Sequence, residues 1–235
     1  MSERTDHALT DPDRDTLPGF IAIEGPIGVG KTSLARRLAA TLNYDTLLES
    51  VEDNPFLERF YRDPAANALP TQLHFLFQRT RQIQQLRQGD MFNPLRVADF
   101  LLDKDPLFAR VTLDDEEFRL YQQVYEQLTV NKPIPDLVIY LQAPPEVLLA
   151  RIHKRGVAAE RTISADYLRR LNEAYTQLFH YYDEAPLLIV NTRDINLADR
   201  DSDYRLFVDY LRTVKSGRHY YNPQYHYSPQ YHPSS

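Results

Sequence analysis

The sequence contains no cysteine. Disulfides and thiolate metal sites are thereby excluded, and nothing in the composition points away from the cytosol. An excess of basic residues is also lacking. The net charge is −6, whereas a polynucleotide partner would require a basic surface. A small phosphate ligand remains compatible with that balance, because it needs only a local positive pocket. No run approaches the roughly 18 consecutive apolar residues of a membrane-spanning helix. Residues 1–17 are polar and acidic, without the apolar core of a secretion signal, and are expected to be disordered. The chain is therefore expected to be cytoplasmic, with neither polynucleotide nor membrane as partner. What is present is ordinary globular material: 235 residues, 43% hydrophobic and 26% charged, enough for one α/β domain with a sizeable core.

Short apolar runs alternate with amphipathic stretches along the chain. Strands are expected at 19–24, 46–49, 95–99, 136–141 and 186–191, bounded by Gly, Pro or acidic residues. Helices are expected at 33–42, 57–62, 71–88, 118–127, 144–154, 165–182 and 204–214, with Asp63-Pro64 as a turn between the second and third. This alternation implies a parallel sheet with helices on both faces. No domain-sized break interrupts 18–215. Residues 216–235 differ: the stretch 217–235 carries five tyrosines, three prolines and three histidines. Prolines at this density forbid a helix, and no alternation suggests a strand. A flexible tail and an aromatic strap packed on the domain or on a partner subunit are the two readings. The spacing of His219, His226 and His232 suits no rigid metal site.

Between the first strand and the first helix stands Gly25-Pro26-Ile27-Gly28-Val29-Gly30-Lys31-Thr32, followed by Ser33. A glycine-rich turn in this position lets successive backbone N–H groups converge on phosphate oxygens at the positive end of a helix. Lys31 would reach the β/γ-phosphates and Thr32 would offer its hydroxyl to Mg²⁺, so ATP and Mg²⁺ are the expected cofactors. The expected fold is accordingly a P-loop NTPase-type α/β domain. Glu49 and Asp99 each end an expected strand, at the sheet edge where such folds place ligands. One could take a proton from an acceptor hydroxyl while the other holds the metal's water shell. Arg151, Lys154 and Arg155 lie on and just after a helix, where a lid segment could carry cations to the transferring phosphoryl group. Caps and a solvated basic face are the alternative readings.

Several later segments, taken with this loop, resemble the deoxyribonucleoside kinase family over residues 19–191. Leu48-Glu49-Ser50-Val51 is similar to the family's Glu-Pro-Val segment, which implies Glu49 as base for the sugar 5′-hydroxyl. Phe60-Tyr61-Arg62-Asp63-Pro64 with Ala68-Leu69-Pro70-Thr71-Gln72 resembles its Tyr-Lys-Asp-Pro and Pro-Phe-Gln stretch. The resemblance implies Tyr61 at the sugar 3′-hydroxyl and Gln72 at the base. Residues 151–168 resemble its lid, so that Arg151 and Arg155 would serve the phosphates and Glu160 would join Tyr61. Arg79, on one helix face with Gln72, and Asp105, six residues after Asp99, match the pairing in members that accept cytosine and purines.

The resemblance therefore implies a homodimeric kinase of the 5′-hydroxyl of deoxyadenosine, deoxyguanosine or deoxycytidine rather than thymidine, with Thr32 and Asp99 as Mg²⁺ partners. Two departures stand out. The family's Glu-Arg-Ser reads Asp99-Phe100-Leu101 here, with Lys104 a turn further on, and the lid's second arginine is Val157, with Arg161 just beyond. An arginine at position 100 is accordingly expected to raise turnover. Two other functions are compatible with the residues: a P-loop kinase of another small hydroxylated metabolite or of a nucleotide, and a nucleotide-binding protein impaired in catalysis. A nucleotide acceptor would need a further arginine near Gln72, for which Arg81 is the candidate.

Overall fold

The computed structural model describes residues 17–89, 95–129 and 132–223. Most of the first segment (1–17) and of the tyrosine-rich last one lies outside these residues. Six parallel strands form one sheet in the order β2-β3-β1-β4-β5-β6. They are β1 Phe20–Glu24, β2 Asp45–Leu47, β3 Arg96–Ala98, β4 Leu137–Gln142, β5 Leu187–Asn191 and β6 Arg218–Tyr221. The helices are α1 Lys31–Leu42, α2 Leu57–Arg62, α3 Pro64–Gly89, α4 Asp105–Thr112, α5 Asp115–Leu128, α6 Pro145–Arg155, α7 Ala165–Tyr181 and α8 Asp201–Leu211.

Successive strand residues point to opposite faces, and the two faces carry different cores. Ile21, Ile23, Leu137 and Ile139 pack with Leu34 and Leu38 of α1, Leu148 and Ile152 of α6, and Phe207 of α8. Ala22, Val138 and Tyr140 pack instead with Leu107 of α4 and Leu171, Tyr175 and Phe179 of α7. Apolar residues are thus needed at every central strand position, which is why these strands are continuous apolar runs in the sequence. Every strand runs the same way, so all of them end on one edge. The loop after β1, Glu49 after β2 and Asp99 after β3 therefore arrive together.

The structure corrects three expectations. Helix α3 begins at Pro64, seven residues before the expected start at 71, and carries Pro70 in its interior. Proline is favoured in the first turn of a helix, where its missing N–H has no intrahelical partner, so Asp63-Pro64 opens the helix it was expected to precede. Helix α4 was not foreseen; it is short and also starts with a proline in its first turn. Residues 218–221, expected to be tail, form the edge strand β6 beside β5, with Leu187 opposite Arg218 and Val190 opposite Tyr221. Tyr221 is buried against Phe207 and Tyr210, so this part of the chain packs on its own domain.

Candidate active site

The glycine-rich loop sits where β1 ends and α1 begins. Gly25, Gly28 and Gly30 have φ of 148°, 81° and 104°, all in the region that side chains rarely adopt. Space enforces the same choice at Gly28, where a Cβ would stand 2.7 Å from the Ile152 side chain. Lys31 folds back over the loop and donates from Nζ to the carbonyls of Gly25 (2.8 Å) and Pro26 (3.3 Å). Burial and the nearby Lys104 ammonium lower its pKa, against the opposing pull of Glu24, Glu49 and Asp99.

Thr32 Oγ1 donates to Asp99 Oδ2 at 2.5 Å, and the other carboxylate oxygen of Asp99 accepts from the Glu49 backbone N–H at 2.7 Å. The ends of β2 and β3 are thereby tied to the first turn of α1. Glu49 receives Arg79 Nε on Oε1 at 2.7 Å and Lys104 Nζ on Oε2 at 3.3 Å. Burial alone would raise the Glu49 pKa, but Arg79, Lys104 and Lys31 together bring it down to about 2. Arg79 also pairs with Asp105, so one buried guanidinium bridges two carboxylates. Beyond Arg79, the Asp105 carboxylate has no hydrogen-bond donor among the described residues.

Two clefts flank the loop. The first is lined by Lys31, Thr32, Glu49, Tyr61, Gln72, Phe75, Arg79, Asp99, Lys104, Glu160 and Tyr167, among others. The second is lined by Gly30, Ser33, Arg151, Lys154, Thr192 and residues 195–199, among others. Gly28 and Arg155 border both. Arg155 pairs with Glu160 through Nε (3.1 Å) and Nη2 (2.5 Å). Thr192 and Ile195 hold Arg151, which donates to the Thr192 carbonyl at 2.6 Å and its hydroxyl at 3.1 Å. Of the three lid cations expected together, Arg151 and Lys154 thus line the second cleft and Arg155 borders both. Gln72 donates to Thr112 Oγ1 at 3.3 Å. Asp105 stands behind Arg79 rather than in the cleft wall. The Tyr61 phenol is raised well above its usual pKa by burial, then by neighbouring Tyr167 and Glu160. Its backbone carbonyl accepts from Thr162 Oγ1 at 3.1 Å, tying α2 to the segment after α6.

Several site residues escaped the sequence reading. Phe75 and Phe108, together with Tyr167 of the segment matched to the lid, give the first cleft its apolar walls, but the first two resemble any other core aromatic in the sequence. Glu24 is fully buried; an acid closing an apolar run beside the glycine loop was the available signal. Arg81, the cation expected to serve a nucleotide acceptor, is exposed and lines a different groove with His74 and Phe77.

Phe100 corrects another expectation. It is 3% exposed and packs with Leu47, Ile83, Ala98 and Leu102, away from both clefts. Phe100→Arg is therefore expected to destabilise the fold by about 3–5 kcal/mol, by losing an aromatic side chain and burying an unpaired charge, without raising kcat. Thermal unfolding and steady-state kinetics on the purified variant check both parts.

A parallel sheet with this loop, bordered by two clefts that share a cation, defines a P-loop phosphotransferase. The sequence model described as deoxynucleoside kinase matches residues 21–215, and the chain belongs to the deoxynucleoside kinase family, enzymes that phosphorylate deoxynucleosides. It is 37% identical to a deoxyguanosine kinase of Bacillus subtilis over 85% of this chain and 99% of that one. To a deoxyadenosine/deoxycytidine kinase of the same organism it is 29% identical, over 83% of this chain and 92% of the relative. A solved deoxyadenosine kinase from M. mycoides with bound dATP superposes with a TM-score of 0.71 at 28% identity, covering 82% of this chain and 98% of that one.

Proposed function

We propose that this kinase transfers the γ-phosphoryl group of ATP, with Mg²⁺, to the 5′-hydroxyl of deoxyadenosine, deoxyguanosine or deoxycytidine in preference to thymidine. The observation that carries this reading is the pair of clefts meeting at Gly28 and Arg155. A donor and an acceptor laid in separate grooves would bring the γ-phosphorus and the acceptor oxygen together at that junction. Residues 25–33 would bind the donor phosphates, with Arg151 beneath them in the second cleft. In the first cleft Tyr61 and Glu160 would hold the sugar, and Gln72 and Arg79 the base, with Asp105 orienting Arg79 from behind. Glu49 would receive the 5′-hydroxyl proton, while Lys31 and Arg155 stabilise charge on the transferring group.

The oxygens of Thr32 and Asp99 suit a hard divalent cation. The described residues contain no cluster of three or more ligating side chains, so Mg²⁺ would be held largely through phosphate and water. Bound there, it would neutralise charge on the phosphates. We also propose a cytoplasmic homodimer, formed through α3. Its outer face leaves Phe77 53% exposed, and the mass in solution tests the assembly.

Base preference follows from the buried carboxylate behind Arg79. Arg79, which lines the cleft and is oriented by Asp105 behind it, would donate to a ring-nitrogen acceptor of adenine, guanine or cytosine, whereas thymine has none. Its extra methyl would also crowd an ion pair that is costly to disrupt. The named relatives act on deoxyguanosine, deoxyadenosine or deoxycytidine, in keeping with this choice. The test is kcat/KM for the four deoxynucleosides, and thymidine as best substrate would overturn the base assignment. Asp105→Ala is expected to narrow the preference for deoxyadenosine over thymidine by about tenfold or more. An unchanged ratio in that variant would assign the exclusion of thymidine to cleft shape.

A further inference from the structure

One buried cation of the first cleft, and the buried anion beside it, have no role in the reaction proposed above. Lys104, in the 3₁₀ turn at Leu102–Lys104, is 2% exposed, and its ammonium lies 3.3 Å from Glu49 Oε2 and 3.6 Å from Glu24 Oε2. Glu24 is at 0% exposure with both oxygens engaged. Its Oε1 accepts from the Gly25 N–H and the Tyr175 hydroxyl, each at 2.9 Å, and its Oε2 from the Leu101 N–H at 2.9 Å. That carboxylate is thereby fastened to the first residue of the glycine loop, to the turn after β3 and to α7. It has no freedom to follow Lys104; Lys104 must settle against it.

Burying an ammonium between two carboxylates is a poor way to stabilise a fold, since an apolar set of similar volume commonly does as well or better. The arrangement does fix a positive charge beside the residue that would take the acceptor's proton. Lys104 also lines the cleft wall, within reach of a ligand.

We propose that Lys104 is a catalytic residue, whose ammonium stabilises the negative charge developing between the 5′-oxygen and the γ-phosphoryl group, and that Glu24 is the positioning residue that holds it there. This rests on the reaction given under Proposed function. In that step the 5′-hydroxyl proton passes to Glu49, the bond from the 5′-oxygen to phosphorus forms, and the bond from phosphorus to the ADP oxygen breaks. Lys104 remains an ammonium throughout. With Phe100 in the core, it is Lys104 that the turn after β3 brings into this cleft. Its worth is realised as charge develops, so it acts on kcat more than on nucleoside affinity.

The test is a double-mutant cycle on the full-length enzyme, reading kcat, the nucleoside KM and circular dichroism. Lys104→Met is expected to lower kcat by about 10²–10³-fold with KM within a few-fold of wild type. Lys104→Arg is expected to recover most of the loss. Glu24→Gln is expected to lower kcat by about tenfold or more. Added to Lys104→Met it should cost little further, because the residue it positions is gone. Tyr175→Phe, which removes one anchor of Glu24 and keeps the ring, should lower kcat by a few-fold at unchanged KM.

Near-normal kcat in a folded Lys104→Met enzyme would overturn the inference while leaving the kinase reading in place. So would failure of Lys104→Met to fold, or full additivity of the two substitutions. A wild-type protein without transfer to any deoxynucleoside would overturn the proposed reaction first and this inference with it.

Discussion

Lys31→Ala is expected to abolish turnover, lowering kcat by about 10³-fold or more, and to leave the fold intact. The side chain spans the glycine loop and touches two backbone carbonyls, those of Gly25 and Pro26, and it belongs to none of the apolar clusters. Its ammonium is penalised where it stands, first by burial and then by Lys104. A base whose folded-state pKa is lowered contributes an unfavourable charged form below that pKa. Removing it therefore costs little stability at neutral pH and could raise it. A ligand's phosphates would reverse that penalty, drawing Lys31 from the carbonyls to the β/γ-oxygens. Circular dichroism with a transfer assay separates the two effects; an unfolded Lys31→Ala chain would reassign the residue to the structure.

Glu49→Gln is expected to lower kcat by roughly 10²–10⁴-fold while nucleoside binding is kept. The amide carbonyl can still accept from Arg79, and Arg79 keeps Asp105, so the cleft should retain its shape. The carboxylate is held at about 2 by three cations that together outweigh its burial. A group so acidic is a weak base at neutral pH. Two features rescue the role. Lys31 would be engaged by the donor phosphates, withdrawing one of the three cations, and a loose transition state transfers the proton late, when the attacking oxygen is already acidic.

The sign for pH follows from the depressed value. Glu49 is ionised in the folded enzyme throughout the range above its ordinary pKa of 4.5, and the stability from its pairing is lost as pH falls through about 2. The acid limb of kcat/KM, which reports the free enzyme, should accordingly not arise from Glu49 above about pH 4. Near-normal kcat in Glu49→Gln would transfer the role of base to Asp99 or to solvent.

The parts of this site legible in the sequence were those fixed by local rules. The glycine loop is dictated by backbone conformations within eight residues, and Glu49 and Asp99 follow from apolar runs that end in acids at the edge of a parallel sheet. Gln72 and Arg79 share one side of α3 because helical periodicity places them there. What the sequence hid depends on contacts between distant segments. Nothing local tells that Phe100 turns toward Ile83 while Lys104, four residues later, turns toward Glu24 and Glu49. Arg151 and Arg155 sit one helical turn apart, yet the carbonyls after β5 claim the first and Glu160 the second. Strand β6 has four residues and no alternation; it exists because β5 offers it an open edge.

The central claim, transfer from ATP to the 5′-oxygen of a deoxynucleoside, is tested most directly by locating the label. Purified enzyme would be incubated with ATP labelled in its γ-phosphate, Mg²⁺ and each of the four deoxynucleosides, and the position of the label in the product determined. The account predicts Mg²⁺-dependent formation of a labelled 5′-monophosphate from deoxyadenosine, deoxyguanosine or deoxycytidine, with thymidine lagging. Label at the 3′-oxygen, or no labelled monophosphate from any of the four, would contradict it.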